Sequence, residues 1–182
     1  MTAEPGVCAT FPDQRVLIDV ILEAELLIGL AALPVEKRAI TNSRVLNEAF
    51  DYARPSSFSR GMRIDLNGLT VLLISGTASI DEHGTSVHVG DFRGQMRRTL
   101  RNITGLLEAE GATWKDVVRT TCYLRDIERD YAAFNEERTA FYREQGLDPL
   151  PASTGIQAIL CRPELLVEVE AIAMFRSGNV SA

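Results

Sequence analysis

The stretch Leu165-Leu-Val-Glu-Val-Glu-Ala-Ile-Ala-Met-Phe175 decides the fold. Val167, Val169, Ala171 and Ala173 alternate with Glu168 and Glu170, the period of two that a β-strand imposes on its faces. The apolar side calls for a cover of helices. The other side sets two carboxylates between Leu166 and Ile172, and buried carboxylates are costly unless paired or used. Such a strand belongs inside an assembly.

Working outward from it, Cys161-Arg-Pro163 forms the turn into this strand, and a further strand is expected near Gly155–Leu160. The proline-containing loop Leu147–Pro151 separates that strand from a helix over Glu128–Gln145, which Gly146 ends. Val117–Leu124 reads as a strand. Asp91 can cap a helix running to Glu110, with Phe92, Met96, Leu100, Ile103 and Leu107 on one face and Gly111 as its stop. Asp81–Gly90 is a loop. Asn67-Gly68 joins two strands, Arg60–Asp65 and Leu69–Ile74, as a two-residue hairpin. The order is β-β-α-β-α-β-β: an α+β domain with one mixed sheet and two helices on one face. The second face carries apolar and polar residues together, so a partner should cover it.

Ahead of this body, residues 1–56 read as an N-terminal extension. Residues 1–12 lack periodicity, a helix is expected over Asp13–Leu33 with Pro34 as its stop, and 34–57 show no dominant pattern. The body spans 57–176, and 177–182 form a tail. The 182 residues carry 46% hydrophobic and 24% charged residues, which suits one globular domain. The formal charge of −6 supplies no field for nucleic acid. Arg93, Arg97, Arg98 and Arg101 read as the solvated side of a helix. Val16–Leu33 contains Asp19, Glu23 and Glu25, too many charges for a membrane span. Cys8, Cys122 and Cys161 form no CxxC, which points to a reducing, cytoplasmic setting.

Glu168 is the first candidate for chemistry: desolvation would raise its pKa and make it a proton donor near neutral pH. A salt bridge or backbone hydrogen bonds would account for it equally. Ser75-Gly76-Thr77 follows a buried strand, where small residues let a ligand approach the backbone. Cys161 precedes Glu168 by seven residues, and Asn135 sits mid-helix at some cost in propensity. Trp114 reads as a core anchor. His83 and His88 lack a third ligand for a metal. No GxSxG, GxGxxG or P-loop occurs, so no cofactor is expected.

Several pieces together resemble the RidA/YjgF family: Leu73-Ile-Ser-Gly76, Gln95-Met-Arg-Arg-Thr-Leu-Arg-Asn102, Thr121-Cys-Tyr-Leu-Arg-Asp126, Tyr131-Ala-Ala-Phe-Asn135 and Val167-Glu-Val-Glu-Ala171. The resemblance implies a chorismate-mutase-like fold, a homotrimer around a central barrel and clefts between subunits. It places Ser75, Gly76, Asn135 and Glu168 in the cleft, with Phe58 where a tyrosine is frequent. Imine-hydrolysing members carry a carboxylate-binding arginine after Pro-Ala. Here Ser153 stands at that place, with Arg162 and Arg60 as other arginines able to reach the cleft. The stretch Ser75-Gly-Thr-Ala-Ser-Ile80 with His83, His88, Gly90-Asp91 and Gln95, and Cys161-Arg-Pro-Glu-Leu-Leu-Val-Glu168, resemble the chorismatases. That resemblance implies Glu168 as proton donor to an enolpyruvyl group and Cys161 as a residue shaping the outcome.

The expectation is a small-molecule hydrolase or lyase acting on a carboxylated metabolite through Glu168, and not a standard 2-aminoacrylate deaminase. A chorismatase-like enzyme and a non-catalytic metabolite-binding trimer are the alternatives. Light scattering should give three times the chain mass; a monomer mass would remove the intersubunit site together with the trimer.

Overall fold

Residues 35–52 and 55–176 are described by the computed structural model. The helix expected over 13–33, Cys8 and the tail 177–182 lie outside the described residues. Within them the strands are β1 (Glu36–Ala39), β2 (Gly61–Leu66), β3 (Leu69–Ala78), β4 (Val117–Leu124), β5 (Ala152–Gln157) and β6 (Val167–Arg176). The helices are α1 (Phe92–Ala109) and α2 (Ile127–Glu144). The strands form one sheet in the order β1-β2-β3-β6-β4-β5. Every neighbouring pair is antiparallel except β4 and β5, so the sheet is mixed.

The expected α+β arrangement is present, and β6 lies at its centre. Val167, Val169, Ala171 and Ala173 are all buried, whereas Glu168, Glu170 and Ile172 on the opposite face are only partly so. Against the buried side packs α1, whose predicted face of Phe92, Met96, Leu100, Ile103 and Leu107 is buried throughout. Asp91 accepts a hydrogen bond from the Gly94 amide, and Asp126 caps α2 in the same way through Arg129. At the β2–β3 turn both Asn67 and Gly68 have positive φ, 49° and 77°, as a type I′ turn requires. Trp114 is the expected core anchor, and its Nε1 donates to Thr104 Oγ1 at 2.8 Å.

Four expectations need correction. A strand precedes the hairpin: β1 adds to β2 as the sheet edge, so the order is β-β-β-α-β-α-β-β. All four β1 residues are exposed, which leaves no burial pattern to read. The strand expected at Gly155–Leu160 instead runs Ala152–Gln157; it is an edge strand exposed at every position, while apolar Ile159 lies in the following loop. β3 continues past Ile74 to Ala78. The arginine cluster is not simply solvated: Arg93 and Arg97 hold the buried Glu137 of α2, and the largely buried Arg98 donates to the Ile80 carbonyl.

On the face away from the helices, apolar partners run across three strands. Met62 opposes Leu73, which opposes Ile172; Ile64 opposes Val71, which opposes Met174. Directly opposed residues share a face, so this is a continuous apolar surface left open in the single chain.

Two buried amide side chains on α1 pin the loops around the sheet. Asn102 Nδ2 donates to the Ala78 and Ile80 carbonyls at 3.0 and 2.8 Å. Gln95 Nε2 donates to the Glu164 carbonyl at 2.9 Å, and its Oε1 accepts from the Leu166 amide at 2.8 Å. Both residues are fully buried. Asn102→Ala would leave buried carbonyls without a donor and should cost about 1–3 kcal/mol or more in urea unfolding. A midpoint equal to that of the wild type would show that these bonds do not hold the end of β3.

Candidate functional site

Where β3 bends, the pairing with β6 shifts register between Ile74 and Thr77. Ser75 and Gly76 together oppose Glu170, an extra residue on one strand and hence a β-bulge, a device that re-aims side chains. The Ser75 amide bonds the Arg60 carbonyl and its Oγ donates to the Ser59 carbonyl at 2.8 Å. The bulge is thereby tied to the segment carrying Phe58 and Arg60. Gly76 lies directly under the Glu168 carboxylate: a Cβ built there would stand 2.0 Å from Glu168 Oε1. Only glycine lets the carboxylate occupy that place.

Glu168 opens into a cleft of about 670 Å³, within the roughly 300–1,000 Å³ range of small-molecule sites. Its walls come from Tyr52, the segment 56–60, the end of β3, the loop 83–85 and the turn 161–165. Of the predicted residues, Phe58, Gly76, Cys161, Arg162 and Glu168 line this cleft. So do His83 and Arg60, the second arginine expected to be able to reach the cleft, and Tyr52, which sequence reasoning did not single out.

Among the described residues Glu168 has no ion pair and no hydrogen bond to its carboxylate. Burial raises its pKa above the ordinary 4.5, and the charge of Glu170 adds to the shift. Burial likewise pushes the Tyr123 phenol up, again helped by Glu170; Tyr123 is the cross-strand partner of Glu168. Cys161 is exposed in the cleft wall. No group of three or more His, Cys, Asp or Glu able to hold a metal occurs among the described residues, nor is any described helix long and apolar enough to cross a membrane.

Asn135 and Ser153 lie elsewhere in the single chain. Arg138 joins them: its Nη2 donates to Asn135 Oδ1 at 2.7 Å and its Nη1 to Ser153 Oγ at 3.0 Å. Thr120 Oγ1 completes the cluster, 3.0 Å from Ser153 Oγ. Thus a guanidinium stands over Ser153, delivered from α2. Sequence reasoning missed Arg138, although its spacing of three from Asn135 places both on one helical face. Tyr52 had no comparable signal, since residues 34–57 carry no periodicity.

A family model described as Endoribonuclease L-PSP matches residues 52–175. The chain belongs to this family, the RidA/YjgF superfamily. A RutC family protein of Pyrococcus horikoshii is 34% identical over 102 residues, covering 56% of this chain and 77% of that protein. The 3-aminoacrylate deaminase RutC of Acinetobacter baylyi is 33% identical over 103 residues, covering 57% and 78%. Among solved structures, the Rid family protein YyfA of Yersinia pestis superposes with a TM-score of 0.62 at 25% identity, covering 76% of this chain and 98% of that one. The YjgF gene product of E. coli gives 0.61 at 25% identity, covering 76% and 99%. The RidA/YjgF match takes in β2 to β6; β1 precedes it.

The raised carboxyl has a thermodynamic consequence. Above pH 4.5 the unfolded chain has released the Glu168 proton while the native chain still holds it. The native state binds more protons in that window, so stability falls as pH rises towards the folded-state pKa. Urea midpoints of wild type minus Glu168→Gln, at one protein concentration, should therefore decrease as pH rises above 4.5. A difference flat across that range would show that folding leaves this carboxyl unshifted.

Proposed function

We propose that this RidA/YjgF protein is a small-molecule hydrolase or lyase in which Glu168 transfers protons to a carboxylated metabolite. One observation carries the reading: a half-buried carboxylate with no partner among the described residues, lying in the space that the missing side chain of Gly76 leaves, at the wall of a roomy cleft. Held protonated, Glu168 delivers its proton to the carbon of an enamine or enol ether. Water then adds to the resulting cation, and the carboxylate takes up a proton from that water. The hemiaminal or hemiketal so formed collapses to the carbonyl as its C–N or C–O bond breaks, the amine or alcohol leaving with a proton from the Glu168 carboxyl while the carboxylate takes the hydroxyl proton. Positioned acid–base groups of this kind supply roughly 10²–10⁴-fold in rate.

The proposal includes a threefold assembly. In one chain the Asn135–Ser153–Arg138 cluster is outside the Glu168 cleft, and the sheet face bearing Leu73, Ile172 and Met174 is open. Closing that face against two further copies would cover the apolar surface and supply the rest of the site. Cys161 and Glu168 sharing one cleft supports the narrower chorismatase-like form, with an enolpyruvyl substrate.

The relative from Acinetobacter baylyi is named as a 3-aminoacrylate deaminase. Ser153 argues against the corresponding imine chemistry here, because a carboxylate would lose its bidentate partner. Freshly generated 2-aminoacrylate in a coupled assay should be turned over about one hundredfold or more slowly than by an arginine-bearing relative. Ser153→Arg should raise the rate, and Glu168→Gln should abolish the gain. Wild-type turnover equal to the relative's would overturn the argument from Ser153. A Ser153→Arg/Glu168→Gln double variant that keeps the gained rate would remove Glu168 from the mechanism.

A further inference from the structure

We infer that the Tyr52 corner of the Glu168 cleft is an anion subsite, formed by Arg60 and Arg162, that takes a ring-bearing carboxylate. The inference rests on the Glu168 reading for which end of the ligand reacts, but the binding claim stands on its own residues.

Both guanidinium groups gather at one phenol. The Arg60 guanidinium carbon lies 5.0 Å from the Tyr52 ring centroid and that of Arg162 lies 4.9 Å from it. Neither arginine forms a direct ion pair among the described residues; the charge of Arg60 acts on Glu48 and that of Arg162 on Glu164 without a hydrogen bond between them. Arg60 is only 4% exposed. Its Nε and Nη2 are held by the Asn47 carbonyl, and Nη2 also meets the Tyr52 hydroxyl. Nη1 has no acceptor among the described residues, although Arg60 lines the cleft. A buried guanidinium is costly unless its donors are met, and an anion in the cleft would supply the acceptor that Nη1 lacks.

Arg162 is braced in a complementary way. Its Nη1 donates to the Gly84 carbonyl at 2.8 Å and to Ser86 Oγ at 3.2 Å, which leaves Nε and Nη2 without a described acceptor. Glu164, the nearest acid on the same turn, is engaged instead by the Ser86 hydroxyl at 2.7 Å. That hydrogen bond, first among the causes, keeps its carboxyl below the ordinary range. Gly84 packs closely on this corner: a Cβ there would meet Asn47 Nδ2 and the Tyr52 ring, each at 2.9 Å.

Size and lining set the rest of the ligand. A cleft of about 670 Å³ exceeds what a three-carbon acid fills. The exposed Phe58 lines the cleft, its ring 5.5 Å from the Arg60 guanidinium carbon. Aromatic walls beside guanidinium groups favour a planar, apolar ring carrying a carboxylate. With the carboxylate at Arg60 and Arg162, the remainder of the ligand extends towards Gly76 and Glu168.

Calorimetric titration of the full chain with benzoate, acetate and benzamide tests this. Benzoate should bind at least tenfold more tightly than acetate or neutral benzamide, and Arg162→Gln should weaken it at least tenfold. Glu168→Gln should bind benzoate as tightly as the wild type or more so, having lost a negative charge. This separates the subsite from the catalytic reading, which turnover assays alone decide. A measurement on the wild type avoids any folding defect: benzoate, unlike benzamide, should slow alkylation of Cys161 by iodoacetamide, read peptide by peptide in the mass spectrometer. Benzoate that fails to bind, or that binds Arg162→Gln equally well, overturns the subsite. Acetate matching benzoate overturns the ring-bearing class. An unchanged alkylation rate at Cys161 overturns the location.

Discussion

A central strand buried on one side only is the constraint on which the rest of this molecule depends. β6 must hide Val167, Val169, Ala171 and Ala173 beneath α1. Because strand side chains alternate, that burial forces Glu168 and Glu170 out on the opposite face. The acids are not chosen by the helices, yet the helices determine where they point. The bulge at Ser75-Gly76 then adjusts the neighbouring strand so that backbone, rather than a side chain, lies under one of the two carboxylates. Glu168 gains desolvation from this seat, whereas Glu170 sits against Thr121 further along the strand.

The cleft walls are loops, and loops need anchoring to form a site. Here α1 does that through its buried amides. Gln95 and Asn102 lie two helical turns apart on one face. Asn102 holds the end of β3, while Gln95 holds the turn that carries Cys161, Arg162 and Glu164. The same helix that completes the core therefore sets the width of the cleft. Arg125 reinforces this turn by donating to the Leu165 and Arg162 carbonyls at 2.5 and 2.6 Å. These buried hydrogen bonds tie the loops to the helix and restrain them, which is what a proton-transfer geometry requires.

The charges of the molecule divide into two kinds. Arg93 and Arg97 are spent on Glu137, and Arg38 and Arg63 on Glu110, each joining one element to another. These pairs stabilise packing and are closed to a ligand. Arg60 and Arg162 are braced by carbonyls, hydroxyls and a ring rather than by carboxylates. Their positions are held without a direct ion pair among the described residues. Arg138 belongs to neither group in the single chain, being held by Asn135 and Ser153 on the far side of the sheet.

Local order in the chain was enough to reveal most of this fold. The helices were legible because Asp91 caps the first, Gly111 and Gly146 follow them, and α1 shows an unbroken apolar face. The hairpin was legible because Asn67-Gly68 suits positive φ. The two edge strands were not: β1 and β5 are exposed at every position, so no alternation of burial was written into them, and only the hydrogen bonds of a neighbour define them. Glu168 was legible from alternation alone, since its place on the uncovered face follows from the period of a strand. That its carboxylate rests on Gly76, ninety-two positions away, follows from the pairing of β3 with β6. The same holds for Tyr52, Arg60 and Arg162, which meet only after the sheet has formed. Sequence by itself determined which strand carries the acid, because that is a matter of nearest-neighbour geometry. Tertiary structure decided what surrounds the acid, because residues far apart in the chain become neighbours only through strand pairing and loop anchoring.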